Sequence, residues 1–167
     1  MLKSLIFIFS LALPALALAQ DVTTIYLVRH AEKVDTSRDS DLTEVGKQRA
    51  QDFAKLLQDR TLTHVYSTPF VRTKNTAAPT ALRHNLDIEE YDSGKTEDFT
   101  SMLKILTGTA LVVGHSNTIP KLVNLLTGEN FDDLDEQVYD KVYIVKFVDS
   151  VYSSLEIIHT QPRTPNR

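Results

Sequence analysis

Apolar and polar positions along the chain alternate between two textures: short continuous apolar runs and longer stretches with helical spacing. Thr23–Val28 is apolar apart from threonine, the pattern of a strand covered on both faces. Residues 31–41 are polar and predict a loop. A helix follows, with apolar positions at Leu42, Val45, Ala50, Phe53, Ala54 and Leu57 and an end near Gln58–Arg60. Thr43 suits its N-cap and Glu44 its first turn. Gly46, inside that helix, points to a close backbone approach.

His64–Ser67 predicts a second strand, and Ser67 or Thr68 a cap for the next helix. That helix is expected from Pro69 to about Ala78, disturbed at Pro79, with a continuation to Arg83. Leu86–Tyr91 reads as a third strand, Ser93-Gly94 as a turn, and Glu97–Leu106 as an amphipathic helix. Ala110–Val113 is a fourth strand. Ser116 or Thr118 is expected to cap a helix that runs to Leu126 and stops at Thr127-Gly128. Residues 129–140 form an acidic loop. Lys141–Val148 and Val151–Ile158 are rich in Val, Ile, Tyr and Phe, and Asp149-Ser150 between them predicts a hairpin. Strand and helix alternate up to residue 126, which implies an α/β fold with a mostly parallel sheet covered by helices on both faces. The last two strands add an antiparallel edge.

Composition changes this picture at the ends of the chain. Met1-Leu2-Lys3, the apolar run Leu5–Leu13 and the small residues Ala17-Leu18-Ala19 read as a signal peptide over residues 1–19, cleaved near Ala19-Gln20. The domain is expected over 20–160, with 161–167 as a loose tail. Secretion or a periplasmic location follows, with no membrane attachment after cleavage. Removing Lys3 with the leader takes the formal charge from −4 to −5. Such acidity argues against nucleic acid as a partner, so an anionic substrate needs a local cationic pocket. Cysteine is absent, so stability rests on the core.

Chemistry collects where the apolar runs end. The first strand runs into Arg29-His30, the fourth into Gly114-His115-Ser116, and the second into Ser67-Thr68-Pro69, with Arg72 three residues beyond. Ligands of parallel sheets sit beyond these carboxyl ends. Arginine offers a planar donor fork suited to phosphate oxygens. His30 is open to four readings: nucleophile, general base, metal ligand or buried structural group. As a nucleophile its free nitrogen attacks phosphorus while the other is held protonated by an acceptor such as a backbone carbonyl. An imidazole of ordinary pKa would lose that role below about pH 6. Gly114 allows a close backbone approach beside His115, and Ser116 and Asn117 add donors. A metal reading is disfavoured because two adjacent arginines repel a cation and no third ligand has a metal spacing.

Four stretches carry a resemblance. R-H-A-E-K at 29–33, L-T-E-V-G-K-Q-R-A at 42–50, Y-S-T-P-F-V-R-T at 66–73 and V-V-G-H-S-N-T at 111–118 resemble, in this order, the histidine phosphatase superfamily, also called phosphoglycerate-mutase-like. The similarity covers about residues 23–126. It implies a three-layer α/β/α sandwich and His30 as the phosphorylated nucleophile. It implies Arg29, Arg72 and His115 around the phosphate, and no metal or organic cofactor. Three departures stand out: Ala31 replaces the more usual glycine, Thr36 stands near a phosphate-contacting asparagine, and the flanking pattern of the general acid is missing. Asp92 is the leading candidate for that acid, then Glu90 and Glu97. Lys33 is expected to add a cation at the pocket rim.

No insertion is long enough for a lid, so an open, shallow site is expected. The resulting expectation is an exported phosphatase acting on phosphomonoesters or phosphoramidates, either a small phosphorylated compound or a phosphohistidine-bearing protein. The alternatives are a non-catalytic phospho-ligand binding domain and a phosphoglycerate-mutase-type phosphotransferase.

Overall fold

The computed structural model describes residues 20–161. The expected leader at 1–19, and the expected tail beyond residue 161, lie outside the described residues. Ten elements follow in chain order. They are β1 (Val22–Arg29), α1 (Glu44–Leu56), β2 (His64–Ser67), α2 (Val71–His84), β3 (Ile88–Glu90), α3 (Thr96–Lys104), β4 (Gly108–Gly114), α4 (Thr118–Thr127), β5 (Lys141–Val148) and β6 (Val151–His159).

One sheet holds all six strands in the order β3-β2-β4-β1-β5-β6. β1 pairs in parallel with β4, β4 with β2, and β2 with β3. β5 and β6 form the antiparallel edge. The α/β class, the mostly parallel sheet and the antiparallel carboxyl-terminal edge are therefore as expected. Alternation along β1 divides the core. Ile25 and Leu27 pack with Phe99, Leu103, Ile119 and Leu122 of α3 and α4. Tyr26 and Val28 pack with Phe53, Ala77 and Ala81 of α1 and α2. Among the described residues no helix is long and apolar enough to cross a membrane.

The hairpin turns at Asp149 and Ser150, both with positive φ (50° and 62°), as a two-residue turn matched to strand twist requires. Gly128 ends α4 in the left-handed region.

Two local expectations, the caps of α2 and α4, are corrected, and the continuation of α2 past Pro79 holds. α2 begins at Val71, two residues after Pro69, and neither Ser67 nor Thr68 caps it. Its first free N–H, on Val71, donates instead to Asp39 Oδ1 at 2.7 Å. A carboxylate from a distant loop has taken the capping role, which complements the positive helix end. Pro79 lies inside α2 without stopping it. Ala77, Thr80 and Ala81 on either side are buried, so tertiary packing outweighs the lost helical hydrogen bond. α4 starts after Asn117 with no side-chain cap, because the Ser116 hydroxyl donates to Glu136 and that of Thr118 to Asn117 Oδ1.

The amino end of α1 is locked to the segment after β1. Thr43 Oγ1 accepts from Gly46 N–H at 3.0 Å, as its capping role requires. Thr43 N–H donates to the Glu32 carbonyl at 2.9 Å. A Cβ on Gly46 would sit 2.3 Å from that same carbonyl oxygen, so only glycine lets the helix approach so closely.

Candidate active site

The sheet order explains why distant motifs meet. β4 inserts between β1 and β2, and all three run in the same direction, so their carboxyl ends share one edge. His30 N–H donates to the Gly114 carbonyl at 2.9 Å, which places the two histidine-bearing ends side by side. The rings of His30 and His115 lie 5.5 Å apart between centroids. Gly114 has no room for a side chain: a Cβ there would stand 2.6 Å from Tyr91 Oη and 2.9 Å from Ile119.

His30 is buried, and its Nδ1 lies 2.8 Å from the Ala31 carbonyl. That carbonyl accepts a proton only, so Nδ1 carries the hydrogen and Nε2 has the free electron pair. Ala31 N–H donates to Thr76 Oγ1 at 2.9 Å, and Ala31 packs against Leu42 and Ala50. Ala31 thus fits at this position without displacing its neighbours.

His115 Nε2 is 3.0 Å from Thr68 Oγ1, and Thr68 Oγ1 donates to Thr73 Oγ1 at 3.0 Å. Thr73 Oγ1 in turn lies 2.8 Å from the Thr68 carbonyl and 2.9 Å from that of Phe70. Since Thr68 gives its proton onward, its oxygen receives one from Nε2 of His115. Nδ1 of His115 then accepts from Arg72 Nη2 at 3.4 Å.

The two arginines are oriented by backbone carbonyls. Arg29, 1% exposed, donates through Nη1 to the carbonyls of Asp135 and Val138 at 2.9 and 3.1 Å. Its Nη2 pairs with Glu136 Oε2 at 2.9 Å. Arg72 Nη1 donates to the Arg38 carbonyl at 2.8 Å. Each guanidinium lies over an aromatic ring, Arg29 over Tyr139 at 4.3 Å and Arg72 over Phe70 at 4.7 Å. The Nε atoms of both arginines are buried with no hydrogen-bond partner.

Two expectations change here. The site is not shallow at its base, since His30 and Arg29 are almost fully covered. The acidic 129–140 loop folds back over Arg29 because the guanidinium draws two of its carbonyls and one carboxylate. The protonation limit also moves. Burial lowers the His30 pKa to about 3; the Ala31 hydrogen bond opposes this, and Arg29, Arg72 and His115 add to the lowering. His115 falls to about 4, through burial first and then Arg72, Arg29 and Lys33.

The sign of the linked effect follows. An unfolded histidine takes up its proton near pH 6.5, whereas the folded His30 ring does so only near pH 3. Between those values the unfolded chain binds more protons. Stability is therefore full above about pH 6.5, falls as acid passes through the window, and levels off below about pH 3. In an NMR titration of the ligand-free protein, the His30 ring should still be neutral at about pH 5. A midpoint near its ordinary value would contradict the buried, doubly cationic setting.

The remaining expected residues are dispersed. Lys33 bridges to Leu42, and its charge reaches the pocket, contributing to the lowered pKa of His115 and of Glu136. Ser116 donates to Glu136 Oε1 at 3.1 Å, and Asn117 stands at the start of α4. Thr36 is exposed in the loop before α1, and no hydrogen bond joins it to His30. Asp92 is exposed and its Oδ1 accepts from Gly94 N–H at 2.8 Å in a tight turn. Glu90 pairs with Lys74 at 2.5 Å and Glu97 with Lys121 at 3.0 Å. Three residues in the site were not anticipated: Glu136, Tyr139 and Phe70. Phe70 lay within the third motif, where its neighbour Arg72 drew the attention. Glu136 and Tyr139 carried no signal, because nothing local shows that their loop returns to β1. Among the described residues, no group of three or more His, Cys, Asp or Glu could hold a metal ion.

Comparison with known proteins agrees with this geometry. A family model described as the histidine phosphatase superfamily (branch 1) matches residues 25–101. No curated protein matched the chain. Among solved structures, the chain is similar to the protein histidine phosphatase SixA complexed with tungstate, at 20% identity and a TM-score of 0.66, covering 79% of this chain and 95% of that one. It is also similar to the phosphoglycerate mutase of Bacillus anthracis str. Sterne, at 18% identity and a TM-score of 0.64, covering 83% and 93%. A mycobacterial glucosyl-3-phosphoglycerate phosphatase matches at 11% identity and a TM-score of 0.62, covering 87% and 100%. The resemblance carried by the first three motifs is thus matched by a family model: residues 25–101 are similar to the histidine phosphatase superfamily (branch 1), in a chain with the fold of SixA and of phosphoglycerate mutase.

Proposed function

We propose that this protein is a phosphatase that transfers a phosphoryl group to Nε2 of His30 and then to water. The observation that carries the reading is the pair of buried, unpartnered Nε–H groups on Arg29 and Arg72, beside two imidazoles 5.5 Å apart. A buried donor without an acceptor costs about 1–3 kcal/mol. Two such donors on fixed cations form a site prepared for an oxyanion. Tungstate, named with the SixA structure, is a tetrahedral oxyanion of the same kind as phosphate.

The steps follow from the protonation states. Neutral His30 attacks phosphorus as the bond to the leaving group breaks in line and that group departs with the electron pair, and the Nδ1–H of His30 stays hydrogen-bonded to the Ala31 carbonyl. Arg29 and Arg72 balance the charge on the equatorial oxygens of a loose transition state, and the neutral His115 ring, held by Thr68 and Arg72, lies beside them. The donor set is already strongly cationic, so the proposal needs no metal ion and none is attracted to it. Substrates of either class, phosphomonoester or phosphoramidate, present the same phosphoryl dianion to these groups.

Rapid quenching into alkaline detergent after mixing with a ³²P-labelled aryl phosphate should leave label on the protein, because a phosphohistidine survives base. A protein that binds phosphate yet never becomes labelled would be a binding domain instead. Export is part of the proposal, resting on residues 1–19. Amino-terminal sequencing of the protein recovered from its host should begin at Gln20. An intact Met1 would remove the secreted or periplasmic assignment.

A further inference from the structure

The loop between α4 and β5 contributes a carboxylate to the site described above. Glu136 Oε2 lies 2.9 Å from Arg29 Nη2, and Oε1 lies 3.1 Å from the hydroxyl of Ser116, the residue after His115. Arg29 is 1% exposed and the Glu136 side chain 69%. The carboxylate therefore extends from the buried guanidinium to solvent. Among the described residues, no other carboxylate is hydrogen-bonded to Arg29, His30, Arg72 or His115. The acidic residues after β3 are engaged elsewhere: Asp92 in its turn, Glu90 with Lys74 and Glu97 with Lys121.

We infer that Glu136 is the general base of the second half-reaction, accepting the proton of the water that attacks the phosphorylated His30. This rests on the phosphatase reading. Water oxygen bonds to phosphorus as the bond from phosphorus to Nε2 breaks. The electron pair of that bond returns to Nε2, which leaves His30 neutral with its Nδ1 proton in place. One water proton goes to Glu136, and the products are hydrogen phosphate dianion and a carboxylic acid that returns its proton to solvent. Each carboxylate oxygen has a second lone pair, so Glu136 accepts from water while still bonded to Arg29 and Ser116.

The charges that face Glu136 suit a base. Desolvation pushes its pKa up, but Arg29, the Ser116 hydroxyl and Lys33 outweigh it and hold the carboxyl below its ordinary range. Arg72 and the Tyr139 hydroxyl complete the titratable groups around it. The carboxylate is thus ionised at neutral pH, and its exposure gives water a path to it.

The test uses the full chain and a ³²P-labelled aryl phosphate, whose leaving group needs no proton. In Glu136→Gln, His30 should still be labelled at the wild-type rate. The label should then decay about 100-fold more slowly, the usual scale of a lost general base. Steady-state turnover should fall by the same factor. Formate added to Glu136→Ala should restore part of the decay rate while leaving the labelling rate unchanged; formate that raised both together would assign the carboxylate to holding Arg29. Labelling and decay slowed equally would assign Glu136 to holding Arg29 and overturn the inference, as would decay at the wild-type rate. Failure of the wild-type protein itself to take label would instead remove the phosphatase reading, and this step with it.

Discussion

His30→Ala should eliminate turnover and phosphoenzyme together while the protein stays folded and still binds phosphate. Removal of a nucleophile that acts with its partners as a unit costs on the order of 10⁴- to 10⁶-fold in kcat. Binding survives because the anion is held by other groups. Arg29 remains fixed by the Asp135 and Val138 carbonyls, Arg72 by that of Arg38, and neither depends on the imidazole. The substitution removes a buried ring, so about 1–2 kcal/mol of stability should go with it, through the cavity left behind. The measurement is a turnover assay beside calorimetric titration of inorganic phosphate. Residual activity within about 10-fold of wild type would transfer the nucleophile to another residue. Loss of phosphate binding would mean that the ring itself organises the pocket.

The largest expected effect on stability lies at the ion pair of Arg49 with Glu32, the latter two residues along the chain from His30. Arg49, 3% exposed, holds Glu32 through Nε and Nη2, at 3.0 and 2.9 Å from one nitrogen and 2.6 Å from the other. Its Nη1 donates to Thr160 Oγ1 at 3.0 Å. Glu32 also accepts Thr43 N–H through its backbone carbonyl, so one ion pair joins the segment after His30, helix α1 and the chain beyond β6. Arg49→Met keeps the volume but leaves a mostly buried carboxylate unpaired. Such a loss costs about 3 kcal/mol, the low end of the range because Glu32 is partly exposed. For a domain of this size that is a fall in Tm on the order of 10 °C. Replacing Glu32 with Leu in the same protein should recover most of it, since the unpaired charge is the source of the cost. Calorimetric melting of the single and double variants decides the matter: a single variant melting within about 2 °C of wild type would show that the pair does not fasten these segments.

The parts of the fold legible in the sequence are those written in local periodicity. β1, β2 and β4 are short continuous apolar runs, and the hairpin announces itself by two Val- and Ile-rich strands around Asp149-Ser150. Thr43 capping α1 is likewise a three-residue relation, read directly from composition. The start of α2 was not legible, because its cap is Asp39, thirty-two residues before Val71. The continuation past Pro79 to Arg83 was legible and holds, but the reason for it was not: the local rule against proline is outweighed by burial of its neighbours, which depends on what packs against them.

The site divides along the same line. Arg29, His30, Arg72 and His115 stand at strand ends or just after one, so the chain alone places each beside the crevice. Their meeting depends on β4 lying between β1 and β2, an order no stretch of sequence states. The acidic loop illustrates the limit most clearly. Its charges read as a solvated surface, yet four of its residues, Asp135, Glu136, Val138 and Tyr139, surround Arg29 and one carboxylate reaches Ser116. The buried setting of His30 was also out of reach, since desolvation is a property of everything around a group and not of the group's neighbours in sequence.

By itself, then, the amino-acid sequence determined which strand ends carry Arg29, His30 and His115 and which segments are strands and helices, because backbone preference and apolar period act over a few residues. Tertiary structure alone decided which arginine donors are left without a partner, which carboxylate pairs with Arg29, and how far the imidazoles resist protonation. Those depend on solvent exclusion and on contacts between residues more than a hundred positions apart, such as Arg29 with Glu136.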